Sequence, residues 1–279
     1  MQTPENLTAS APGTCKQSHL LSARSDTSTS ETTFKYKMII AYEGTNYGGW
    51  QVQPNAVSIQ ALIEQSLKTI LRRQIPLFGS GRTDAGVHAL AQAAHFCSDV
   101  PIEIPKTFAS LNGLLPPDIR ILAIEEAPND FHARFSAASK TYHYRLHLDP
   151  IPDPFKRRYA YYVPHPVDIA LLKSSAAHFI GTHDFTSFAN EPGRGSAAHD
   201  AVRTLFRLDV IEETGGVRLE FQGDGFLYKM VRNIVGTLLD VCAAKIAPDQ
   251  IPAILAAKDR RLAGRSAPPQ GLYLVKVTY

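Results

Sequence analysis

Cysteine is scarce in this chain: Cys15, Cys97 and Cys242 are the three in 279 residues, and none stands in a CxxC pair. That scatter excludes a disulfide-framed scaffold and fits reduced thiols in a cytosol-like compartment, so a cytoplasmic protein is expected. Long apolar runs are lacking too. The best candidate, Phe226 to Ala244, is interrupted by Lys229, Arg232 and Asp240, well short of the roughly 20 apolar residues of a membrane-spanning helix. Nor does charge of one sign dominate. With 29 Lys and Arg against 26 Asp and Glu, the net charge of +3 permits a polyanionic partner without demanding one. Several catalytic patterns are missing as well. There is no G-x-S-x-G for a serine hydrolase and no H-x-E with P-C-x-x-C for a zinc deaminase. His88, His95 and Cys97 lie close together, but their spacing matches no closed zinc set, and packing or hydrogen-bonding histidines are the expectation; no metal is assigned.

What is present is an ordinary globular composition, 44% hydrophobic and 20% charged, long enough for one large domain or two small ones. Residues 1–33 are rich in Ser, Thr and Ala without apolar periodicity and read as a disordered tail. The stretch that organises the remainder is Gly79 to His88, GSGRTDAGVH. It sets one carboxylate, Asp84, two residues from the guanidinium of Arg82, in a turn fenced by Gly79, Gly81 and Gly86. The loop completes neither G-x-G-x-x-G nor a Walker A pattern, since Val87-His88 follow where Lys and Ser/Thr are needed. It is not a phosphate cradle by pattern, and on its own Asp84 reads as a turn residue.

In order, the chain predicts a strand over Phe34–Glu43 and a helix from a Ser58 cap to about Arg73. A strand over residues 75–80 then enters the Asp84 loop, and Gln92–Ser98 leads away as another. A short helix near Pro105–Leu114 and a strand over Ile119–Ile124 follow. The next strand alternates so that Tyr142, Tyr144 and Leu146 share one face, with residues 159–163 beside it. A helix over Asp168–Ile180 precedes a long polar loop over residues 182–200, expected to be mobile. Strands over Thr204–Ile211 and Val217–Gln222 are joined through Gly215-Gly216, a hairpin signal. Then come a helix over Phe226–Ala244 with Arg232 at the edge of its apolar stripe, a helix over Pro248–Ala257, a basic loop, and a strand over Gly271–Val277. The repeated order of elements predicts an α+β fold of two related lobes, residues 34–130 and 131–279, with mostly antiparallel sheets flanked by helices.

Read together, Tyr42–Gln51 (YEGTNYGGWQ), Gly79–Ala89 (GSGRTDAGVHA), His132–Leu146 (HARFSAASKTYHYRL), His183–Phe188 (HDFTSF), Gly223–Gly236 (GDGFLYKMVRNIVG) and Ala267–Val275 (APPQGLYLV) closely resemble, in the same order, the TruA-type tRNA pseudouridine synthases. The resemblance covers everything after about Thr33. One departure is Glu43, where the family usually has Asp. What the resemblance implies is a cofactor-free isomerase acting on uridine in the anticodon arm of tRNA, at the conventional positions 38 to 40. It also implies a site in the cleft between the lobes and a homodimer that presents each tRNA to both subunits. By the same match Asp84 takes the place of the catalytic aspartate, Arg82 that of the neighbouring motif arginine, and Arg232 that of the arginine pairing with the aspartate. Tyr142 matches the tyrosine that stacks on the target base, and Leu272 an apolar contact below the uracil.

These roles suit the chemistry. The reaction breaks a C1′–N1 bond, rotates the uracil and rejoins it through C5, and a carboxylate near C1′ serves as nucleophile or as proton acceptor. A base that is stacked or paired must first be flipped out. Basic residues beside an aromatic in Lys156-Arg157-Arg158-Tyr159, and the pair Arg260-Arg261, suit phosphate contacts, with solvated charge an equal reading. Two other functions stay open: an RNA-binding protein that kept the fold and lost the chemistry, and the same chemistry on another RNA. The intact set of Asp84, Arg82, Tyr142 and Arg232 favours an enzyme, because a binding module has no use for a carboxylate facing a polyanion.

Overall fold

The computed structural model describes residues 33–190 and 200–279. The predicted tail up to residue 32, and most of the second half of the long polar loop over 182–200, lie outside the described residues. Among the described residues ten strands form one sheet. They are β1 (Phe34–Tyr42), β2 (Phe78–Gly79), β3 (His88–Ser98), β4 (Ile119–Ala127), β5 (Ser139–His147), β6 (Tyr161–Tyr162), β7 (Gly181–Asp184), β8 (Val202–Glu213), β9 (Gly216–Gly223) and β10 (Leu272–Thr278). The path through the sheet is β4-β1-β3-β10-β5-β9-β8-β7, with β2 on β3 and β6 on β5. Pairing is antiparallel except for β3 with β10 and β5 with β6, so the expected mostly antiparallel α+β architecture holds. The parallel contact of Tyr273 with His88 and Leu274 with Ala89 joins the strands of both halves into one sheet.

The helices form where the local signals put them. In α1 (Ile59–Leu71) the Ser58 hydroxyl accepts from Ala61 N at 3.3 Å, and Arg72 in the left-handed region (φ 58°) ends the helix. In α3 (Ile169–Ala176) Asp168 caps Leu171 N at 3.0 Å, and residues as far as Phe179 continue as a 3-10 turn. α2 (Ile104–Leu114) packs on β4 and on α1, and α5 (Ile251–Ala257) follows a 3-10 turn. α4 (Met230–Cys242) begins four residues later than the apolar stripe suggests, because Lys229 sits at φ 60° and interrupts the helical backbone. Leu227 is buried, but from the turn ahead of the helix, where Met230 N donates to Leu227 O.

Four further differences concern element boundaries. The turn between β8 and β9 is Thr214-Gly215, with Gly215 at φ 73°, and Gly216 already belongs to β9. Only Phe78–Gly79 of the strand expected over residues 75–80 pairs with a neighbour, and β7 occupies part of the expected loop. β3 starts at His88 rather than Gln92, because its first residues find their partner in β10. β1 occupies one edge of β3 along its length, so β2 and β10 divide the other edge, and the Asp84 loop is the segment between them.

Candidate active site

β2 delivers the chain to the Asp84 loop, and the segment after β1 holds that loop in place. Trp50 N donates to Thr83 O at 3.1 Å, and Gly86 N donates to Tyr47 O at 3.3 Å. Gly49, at φ 94°, passes so close that a Cβ there would stand 2.4 Å from Thr83 O. The Thr83 hydroxyl meets the Tyr42 hydroxyl at 2.8 Å, and burial raises the pKa of that phenol. From β3, the buried Gln92 donates to Gly81 O at 2.9 Å and accepts from the Ser80 hydroxyl at 2.7 Å. Within the loop Val87 N donates to Asp84 O at 3.1 Å, and Gly86 takes φ 78° at the third turn position, as a type II turn requires. The expected turn residue is therefore real, yet Asp84 closes the turn with its backbone and leaves its carboxylate free for another partner.

That partner is Arg232. One terminal nitrogen of its guanidinium donates to Asp84 Oδ2 at 2.7 Å and Nε donates to Ala267 O at 2.7 Å, while Ala267 N returns a bond to Arg232 O at 2.9 Å. The two side chains are 11% and 17% exposed, so the pair is screened from bulk water yet open to a ligand. Arg82, nearer in sequence, is exposed and turns to Gln51, with Nε 3.2 Å from Oε1. Arg232 is thus the guanidinium on the Asp84 carboxylate, the pairing that the family resemblance implied, although Arg82 stands only two residues away in the sequence.

Tyr142 projects from β5, is 7% exposed, and meets Phe226 edge to face at 5.0 Å. Burial raises its phenol pKa, with smaller contributions from Tyr42 and from Asp84, which places it in the field of the carboxylate. Leu272 opens β10 opposite Tyr144, one strand over from Tyr142, and is buried. The Tyr144 hydroxyl donates to Pro268 O at 2.7 Å and so ties the segment beside Arg232 to β5. All five residues singled out in the sequence thus lie around the β3–β10–β5 junction, with Arg82 on the outer side of the loop.

A buried network supports Arg232 from behind. Asn233 donates to Phe188 O at 2.6 Å and to Asn190 Oδ1 at 2.9 Å, and its own Oδ1 accepts from Arg260 at 2.9 Å and from the Ser266 hydroxyl. Arg260 also donates to Ala263 O at 3.1 Å. Arg260 is thus engaged with partners inside the protein, while the exposed Arg261 pairs with Asp259. In the other basic run, Lys156 lies 3.9 Å from Asp149, while Arg157 and Arg158 line an open pocket of about 350 Å³ with Thr45, Gly86, Pro269 and Gln270.

His88 and His95 are held by backbone partners. His88 Nδ1 accepts from Gly44 N at 3.0 Å, so Nε2 carries the proton shared with Arg158 O and Gln270 O; burial is the first cause of its lowered pKa. His95 accepts from Ala133 N and is lowered to about 4, by burial first and then by His132 and Lys35. Among the described residues no group of three or more His, Cys, Asp or Glu is placed to hold a metal ion. Glu43, the departure from the family pattern, accepts from the Thr45 hydroxyl and stays 3.6 Å from His88.

Sequence reasoning missed Gln92, Asn233 and Lys140. Gln92 and Asn233 carry no local signal, since a buried amide is recognised only by its partners. Lys140 had one: it alternates onto the Tyr142 face of β5.

Comparison with known proteins identifies the family. A family model described as tRNA pseudouridine synthase matches residues 38–136 and 175–279. The chain is 56% identical over 245 residues to "tRNA pseudouridine synthase A 1" of Protochlamydia amoebophila, covering 88% of this chain and 96% of that protein. It is 45% and 44% identical to "tRNA pseudouridine synthase A" of Bacillus velezensis and of Bacillus subtilis, each over 88% of this chain and 99% of the relative. With the matched segments carrying Asp84, Arg232 and Leu272 alike, the chain belongs to the TruA-type tRNA pseudouridine synthase family.

Proposed function

We propose that this chain isomerises uridine to pseudouridine in the anticodon arm of tRNA, at positions 38 to 40, with the Asp84–Arg232 pair at the reacting centre. The observation that carries this reading is the 2.7 Å contact of a 17%-exposed carboxylate with an arginine that the opposite end of the chain holds in place. The isomerisation gains and loses no atoms: C1′–N1 breaks, C1′–C5 forms, N1 takes up a proton and C5 gives one up. It needs one group at the sugar that is either nucleophile or proton acceptor, and Asp84 is that group. Arg232 orients the carboxylate through the fork of its guanidinium, which Ala267 O fixes from the far side. Tyr142 supplies the ring face for the flipped base, and Leu272 the apolar floor. Arg82, exposed on the same loop, is free to meet RNA. We further propose that residues 34–130 and 131–279 act as the lobes flanking the site, and that the chain works in the cytoplasm as a homodimer, which light scattering of the purified protein tests.

The direct test is to incubate the purified protein with unmodified tRNA, chelator present, and map pseudouridine by position. Product confined to the anticodon arm is expected. Product elsewhere would change the substrate, and tight binding without any product would favour a binding protein.

For Tyr142 the expected effects separate ring from hydroxyl. Base–aromatic stacking is worth about 1–3 kcal/mol, so Tyr142→Ala should lower kcat/KM by about 5- to 150-fold, while Tyr142→Phe keeps most of it. Because the ring is buried against Phe226, thermal melts of both variants are needed beside the kinetics. Equal damage from both would move the role to the hydroxyl, and unchanged activity in both would make Tyr142 a core residue.

A further inference from the structure

Lys140 precedes Tyr142 by two residues on β5, so its side chain leaves the sheet on the same face. Its ammonium does not extend into solvent. Nζ donates to Ser80 O at 2.7 Å, at the entry to the Asp84 loop, and a Cβ on Gly81 would stand 3.2 Å from it. Half-buried ammonium groups are ordinarily matched by a carboxylate. Here the charges that act on Lys140 are both positive, Arg134 and Arg203; burial first, and then these two, bring it down to about 8.

The two arginines have little to offset them. Arg134 is exposed and lies over the ring of Phe135, 5.6 Å from its centroid. Arg203 is 16% exposed, bonds to Val202 O, and among the described residues has the outlying Asp200 at 3.9 Å as its carboxylate. Three cations gathered at the mouth of the catalytic loop repel one another, and an anion relieves that repulsion. Beside them runs a row of rings: Phe135, 76% exposed, lies 4.4 Å from His132, which lies 6.2 Å from the exposed Phe78 on β2. Cations interleaved with exposed aromatics hold unpaired nucleic acid, phosphates on the former and bases on the latter.

We propose that Lys140, Arg134 and Arg203 form a subsite for a backbone phosphate of the RNA strand next to the reacting nucleotide, with Phe135 as the stacking surface for a neighbouring base. The proposal rests on the RNA-modifying reading above and adds the residues that grip the strand. Through its bond to Ser80 O, Lys140 would link that grip to the loop that carries Asp84.

The test is equilibrium binding of unmodified tRNA across a salt series by the wild type, Lys140→Met, Lys140→Arg and Arg134→Gln, with pseudouridine formation by each followed in parallel. Each phosphate contact contributes about 0.7 to 0.9 to the slope of log K against log salt. Lys140→Met and Arg134→Gln should each flatten the slope by about that much, and Lys140→Arg should retain it. Slopes equal to the wild type overturn the subsite and leave Lys140 as a strut for Ser80 O, seen as slower turnover at unchanged slope. Should Lys140→Met not fold, the exposed Arg134→Gln decides alone. Absence of product from the wild type would count against the enzymatic reading and not against the slopes.

Discussion

Asp84→Asn is expected to bring pseudouridine formation to background while tRNA binding stays within about tenfold of the wild type, or roughly 1.4 kcal/mol. Asn is nearly isosteric and keeps an oxygen to accept the 2.7 Å bond from Arg232, and the turn at Asp84 is closed by its backbone carbonyl, which the substitution does not touch. The glycines and Gln92 that shape the loop are likewise unaffected. What disappears is the charge that the reaction needs at C1′, and its loss near a polyanion does not weaken binding. Position-resolved pseudouridine mapping, with a melting curve and a binding titration on the same preparation, checks this. Near-normal product would remove Asp84 from the chemistry. Loss of fold and binding together would make it a structural turn residue.

Arg232 should show the second large effect, and two substitutions separate its charge from its geometry. Arg232→Leu leaves the Asp84 carboxylate without its partner and Ala267 O without its donor. Removing one side of a buried pair costs about 3–5 kcal/mol in stability, and a pair with this much access to water falls toward the lower end. Turnover should drop about 10²- to 10³-fold, the loss seen when one preorganised electrostatic contact is removed from an active site. Arg232→Lys keeps the charge, but a single ammonium cannot hold Asp84 and Ala267 O together as the planar fork does, so it should rescue stability more than rate. Single-turnover kinetics and thermal melts on both variants measure the two effects. Full rescue of rate by Lys would show that charge alone suffices, and wild-type turnover in Arg232→Leu would confine Arg232 to structure.

Much of the fold was legible because its signals are short. Ser58 and Asp168 cap the helices that follow them within three residues, and the alternation of Tyr142, Tyr144 and Leu146 states which face of β5 is buried. Misplaced boundaries trace to backbone events without a residue signature. Lys229 takes a left-handed conformation that its side chain does not favour, and α4 starts late for that reason.

Of the candidate site, the sequence by itself, through the family resemblance, named the members and implied the pairing of Arg232 with Asp84. The Gly-fenced loop, the tyrosine, the helix-edge arginine and the GLYL leucine carry that resemblance. How the rest of the site is held was decided only by the tertiary structure. Arg82 turns to Gln51 although Asp84 is two positions away, and Arg260 donates to Asn233, the residue after Arg232. β3 extends to His88 because β10 arrives from the far end of the chain. The physical reason is common to all three: a cap or an alternating strand is satisfied by neighbours a few residues off, whereas an ion pair, a buried amide or a strand edge is satisfied by whichever group the folded sheet brings within about 3 Å.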